Sequence, residues 1–94
     1  LETYQIESLG LEIKNTSPTE LRDKNISNGV KVTRVLTNDM KHYNLEGIII
    51  TKLNDNFIKN IDDVKNILNN KSSRVPIKMT FANRNGKINT FIFR

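Results

Sequence analysis

The 94-residue chain is 36% hydrophobic and 27% charged, which fits a single globular domain with one modest core. It has no cysteine, which excludes disulfides and thiol catalysis, and no apolar run nears the roughly 20 residues that span a bilayer, so membrane insertion is not expected. The net charge of +5 permits attraction to acidic partners, but the basic residues are scattered. They form no cluster of about five or six and no aromatic-interleaved basic strand, so nucleic acid is not the expected partner.

In chain order, residues 1–7 alternate loosely around Tyr4 and Ile6, which predicts a lead-in strand or an extended linker before a domain spanning residues 8–94. They carry Glu2 and Glu7 and no basic residue, so no signal peptide is expected. The chain starts without Met, as a piece of a longer protein would.

Ser8-Leu9-Gly10-Leu11-Glu12-Ile13 follows. A glycine allows a sharp turn, and successive N–H groups in such a turn can hold an anion. Leu9, Leu11 and Ile13 repeat with the period of two of a half-buried strand, Leu9–Lys14. If the edge of Leu11–Ile13 is free, an extended peptide can pair with it while its terminal carboxylate sits in the turn. A plain glycine kink is the other interpretation of the same residues.

Asn15-Thr16-Ser17-Pro18 ends the strand, and Ser17-Pro18-Thr19-Glu20 has the form of a capping box opening a short helix to about Asp23. Val30, Val32, Val35 and Leu36 predict a central strand, Val30–Leu36. Thr37-Asn38-Asp39 predicts the start of a short helix with Met40 and Tyr43 inside, which Gly47 ends. Ile48–Leu53 is nearly all apolar, as in a strand buried on both faces. Asn54-Asp55-Asn56 is a turn and Phe57-Ile58 a short strand.

Asn60 is expected to cap the longest helix, Ile61–Asn70, with Asp62 and Asp63 in its first turn and Lys71 at its end, both favourable to the helix dipole. Ile61, Val64, Ile67 and Leu68 form its apolar stripe. Arg74–Ala82 alternates as a strand, with Pro76 marking an edge or strand start. Asn85-Gly86 predicts a type I′ hairpin into Lys87–Arg94, where Ile88, Thr90 and Ile92 share one face and Phe91 and Phe93 the other. The fold class is therefore α+β, mainly β: a small, partly open barrel or sandwich of five or six strands capped by two or three helices.

Catalytic patterns are missing from the sequence. His42 is the only histidine and, without cysteine, makes neither a zinc site nor a dyad. Asp62 and Asp63 are neighbours on a helix and point about 100° apart. No Gly-x-Ser-x-Gly, P-loop or dinucleotide pattern occurs. No catalytic residue, metal ligand or cofactor site is expected.

Four segments in order resemble a PDZ domain, of the circularly permuted bacterial type. Leu9-Gly10-Leu11 is similar to that family's apolar-Gly-apolar carboxylate loop. Gly29-Val30-Lys31-Val32-Thr33-Arg34-Val35 is similar to its Gly-Val-x-Val-x-x-Val strand. Gly47-Ile48-Ile49-Ile50-Thr51-Lys52-Leu53-Asn54 is similar to its Gly-Asp-Ile-Ile-x-x-Ile-Asn strand and turn, and Asn60–Leu68 to the helix after it. The chain departs from the pattern at Ile48, in place of Asp, and at Asn44, in place of Gly, and Leu45-Glu46-Gly47 is one residue short.

From about Ser8 to Arg94 the chain resembles the second, C-terminal PDZ domain of the HtrA/Do (DegP-like) bacterial serine proteases. The resemblance implies a non-catalytic regulatory domain of a periplasmic endoprotease involved in envelope protein quality control. Its partners would be C-terminal or unfolded peptide segments, or the protease domain or a neighbouring PDZ domain of the parent. It implies that the N–H groups of Leu9, Gly10 and Leu11 hold a peptide carboxylate, with Gly10 leaving room for its approach. Ile13, Ile61, Lys65 and Leu68 would line the groove, and Val64 and Ile67 would face the core. Ile61, where many animal PDZ domains have a polar residue, implies a second pocket that favours apolar side chains. The alternatives are a degenerate PDZ domain serving oligomer assembly or allostery, and a small basic nucleic-acid-binding domain.

Overall fold

The computed structural model describes residues 2–70 and 76–93. Its strands are β1 (Thr3–Ile6), β2 (Leu11–Asn15), β3 (Val30–Val35), β4 (Ile49–Leu53), β5 (Asn56–Phe57), β6 (Ile77–Ala82) and β7 (Ile88–Phe93). The helices are α1 (Pro18–Asp23), α2 (Asn38–Lys41) and α3 (Ile61–Asn70). The described strands form one antiparallel sheet in the order β1-β2-β3-β4-β6-β7, with β5 paired to β4 alone.

Alternation builds the core. Leu11 and Ile13 of β2 are fully buried while Glu12 and Lys14 are half-buried. In β3, Val32 and Val35 are both buried although three apart, which a regular strand forbids. The resolution is a bulge: Glu12 pairs with Arg34 and Ile13 with Val32, leaving Thr33 as the extra residue. Thr33 donates its hydroxyl to the Glu12 carbonyl (3.2 Å) and carboxylate (2.8 Å), so the extra residue is hydrogen-bonded. The same device in β4 leaves Thr51 between Ile50, opposite Phe81, and Lys52, opposite Thr80. Ile50 and Leu53 thus both turn inward, and Thr51, buried, donates to the Thr80 carbonyl at 3.2 Å. β4 is buried on both faces, as its composition predicts.

Ser17 opens α1 with the full capping box: its hydroxyl accepts the Glu20 N–H, and Glu20 accepts the Ser17 N–H. Glu20 also pairs with Lys31 of β3 at 3.0 Å. In α3, the Asn60 side chain accepts the Asp63 N–H at 3.0 Å, the expected cap. Val64 is fully buried and Ile67 packs partly against the core. Lys71 and the start of the expected strand, Arg74 and Val75, lie outside the described residues.

Three local expectations are corrected. The type I′ turn does not fall at Asn85-Gly86, because only Gly86 has positive φ there (+84°). The Asn83 carbonyl instead accepts the Gly86 N–H, and its side chain accepts those of Asn85 and Lys87, giving a type I turn with a glycine bulge. The type I′ geometry falls at Asn54-Asp55, φ +49° and +68°, joining β4 to β5. β5 is accordingly Asn56–Phe57, one residue earlier than predicted. Tyr43 lies beyond α2 and is 48% exposed, its ring meeting Phe91 edge-on (centroids 4.8 Å apart) and His42 at a tilt (4.3 Å).

Candidate peptide-binding groove

The predicted groove residues come together on two elements, β2 and α3. The Ile61 N–H donates to the Asn15 side chain at 2.9 Å, which fixes the start of α3 to the end of β2. Leu9, Leu11, Ile13 and Ile61 are buried in one apolar cluster, with Leu68 packed partly against it. Lys65 stands on the same side, half-buried.

The edge of β2 is not free. β1 pairs with it along its length, with Thr3 opposite Lys14, Tyr4 opposite Ile13, Gln5 opposite Glu12 and Ile6 opposite Leu11. Ile6 is 2% exposed and belongs to the cluster just described. Burying such a side chain contributes roughly 1.5–3 kcal/mol. Two residues back on the same face, the Tyr4 ring lies under Lys65, Nζ 4.8 Å from its centroid. On the other face Gln5 donates to Glu12 at 3.3 Å. Glu12 also accepts from Thr33 and Arg34, and these bonds, Thr33 first and Gln5 next, hold its carboxyl below the ordinary value.

The loop amides are also engaged. The Ile6 carbonyl accepts the N–H groups of Leu9 (3.2 Å) and Gly10 (2.9 Å). Leu9 and Gly10 thus do form a small oxygen-binding turn, and the oxygen in it is the chain's own. Gly10 has φ +68°, and a Cβ on it would stand 2.9 Å from Thr37 Oγ1 and 3.1 Å from Thr37 Cγ2. The backbone and Thr37 therefore both call for glycine here. The Gly10 carbonyl accepts the Leu36 N–H at 2.7 Å, which ties the loop to the end of β3.

Sequence reasoning did not foresee that β1 pairs with the outer edge of β2. The signal was present in the Tyr4/Ile6 alternation and in the four-residue gap between Ile6 and Leu11, short enough for a hairpin loop. The largest cavity described, about 630 Å³, lies elsewhere, bordered by Arg22, Ile26, Asn28, Lys52 and Ile88. Among the described residues, no group of three or more His, Asp or Glu side chains is placed to hold a metal ion, and no helix is long and apolar enough to cross a membrane.

A mainly antiparallel sheet with a glycine turn leading into β2 and a helix beside that strand defines a PDZ fold. The HtrA3 PDZ domain, solved bound to a phage-derived ligand (FGRWV), is similar over 98% of this chain and 89% of its own, with a TM-score of 0.64 and 15% sequence identity. No protein-family model matches the sequence, and none of the curated proteins does.

Proposed function

We propose that this domain recognises extended peptide segments by adding them as a strand beside β2, and that it regulates an HtrA/Do-like serine endoprotease of the bacterial periplasm. One observation carries the recognition step. A strand lies antiparallel to β2, buries an aliphatic side chain in the apolar cluster that also holds Ile61 and delivers an oxygen to the Leu9 and Gly10 amides. A peptide ending in an aliphatic residue offers those same contacts. The terminal carboxylate makes stronger, charge-assisted hydrogen bonds than a neutral carbonyl. The HtrA3 PDZ domain was solved with such a peptide, one that ends in valine. Membership of a protease rests on the motif resemblance, and there the ligands would be exposed C-termini of misfolded envelope proteins.

The occupied edge of β2 favours a second function, an assembly or allosteric element that contacts the protease domain or a neighbouring PDZ domain. An NMR titration separates the two. The ¹⁵N-labelled chain receives FGRWV, or the same peptide as its C-terminal amide, up to about 1 mM, the range in which a peptide competes with a short-tethered segment. Recognition requires that the acid shift the amides of Leu9, Gly10, Leu11 and Ile13 and that the amide form not do so. Silence of those signals with both peptides overturns recognition in favour of assembly.

A further inference from the structure

We propose that β1 is an internal ligand that closes the groove, so that an outside peptide binds only by displacing Thr3–Ile6. This rests on the recognition function proposed above and adds a competitor to it.

Polarity is the first argument. A peptide whose carboxylate reaches the Leu9 and Gly10 amides must run antiparallel to β2, with its last residue opposite Leu11. β1 runs antiparallel to β2, and Ile6 stands opposite Leu11 with its carbonyl on those amides. Both occupants therefore need the same edge, the same two donors and the same apolar site, and they cannot bind together.

The second argument is how β1 is held. It is an outermost strand, with a partner on one side only. Its grip consists of Ile6 in the apolar cluster, Tyr4 under Lys65, a four-residue ladder and one side-chain bond from Gln5 to Glu12. A peptide with an aliphatic last residue can supply equivalents of the first and third, with a carboxylate at the amides. β1 has the advantage of its tether, which gives it a high effective concentration. The apparent affinity for peptide is then the intrinsic one reduced by the fraction of molecules in which β1 is displaced. The ligand class that follows is a free C-terminus with an aliphatic last residue, as in FGRWV.

The test compares the native chain with the full-length variant Ile6→Asp, whose carboxylate cannot remain in the apolar cluster. Neither contains tryptophan, so the FGRWV tryptophan reports binding directly. Ile6→Asp is expected to bind FGRWV at least tenfold more tightly than the native chain. Equal affinities overturn the internal ligand and leave recognition intact. Absence of binding by both overturns recognition itself. Should the variant not fold, hydrogen exchange of the native chain decides. With FGRWV bound, the amides of Thr3–Ile6 exchange faster while those of β3 and β4 do not. Unchanged exchange at Thr3–Ile6 under bound peptide overturns the proposal.

Discussion

Gly10 holds the β1–β2 loop in a left-handed conformation, and its missing side chain leaves room for Thr37. An L-residue at such a φ costs about 1–2 kcal/mol, and the 2.9 Å approach to Thr37 Oγ1 adds to it. Gly10→Ala is therefore expected to lose about 2 kcal/mol of stability, read as a lower urea midpoint at unchanged slope. An unchanged midpoint would show that the loop relaxes around a side chain. The backbone reason for glycine at this position was legible in the sequence, but the contact with Thr37 was not. Thr37 is 27 residues away, and only the folded chain brings it under Gly10. Asn44 illustrates the converse. It stands where the motif that the chain resembles has glycine, and at φ +59° it adopts the left-handed conformation that asparagine tolerates best after glycine.

At the scale of elements, the contact between α1 and β3 depends on Glu20. Its carboxylate accepts Nζ of Lys31 and the Ser17 N–H, and these bonds, Lys31 first, hold its pKa below the ordinary 4.5. A lowered folded pKa means that the stabilisation is fully present above 4.5 and is lost as pH falls through the lower folded value. Solvent screening keeps the charge effect to about 0.5 kcal/mol. Glu20→Gln is expected to be less stable than the native chain by that amount at neutral pH, with the gap closing at an acidic pH below the lowered folded pKa. A gap of equal size at both pH values would place the effect in the cap rather than in the charge. The capping box itself was legible, because Ser17, Pro18 and Glu20 are local to one turn. α3 and the alternating strands were legible for the same reason of short-range periodicity. The bulges at Thr33 and Thr51 were not, because an extra residue is defined only by what lies across the ladder. The turn type at Asn85-Gly86 was not legible because Asn-Gly satisfies either hairpin geometry. The Asn83 side chain, which accepts two amides, selects the bulged one.

For the whole molecule, the resemblance carried by four motifs in sequence reaches the correct fold and sets β2 beside α3. Those motifs could not say what covers the outer edge of β2. Residues 3–6 satisfy the rules of a strand and of a linker equally well, and only the burial of Ile6 beside the helix decides between them. The same contact covers the outer edge of β2.

The central claim is that one edge of β2 serves either β1 or a peptide. The most direct measurement is the pattern of nuclear Overhauser contacts to Leu11 and Ile13 in the labelled chain, alone and saturated with FGRWV. The free chain should show contacts from Tyr4 and Ile6, and the complex should show contacts from the peptide in their place. A complex in which the Tyr4 and Ile6 contacts persist while the peptide is bound would contradict the account.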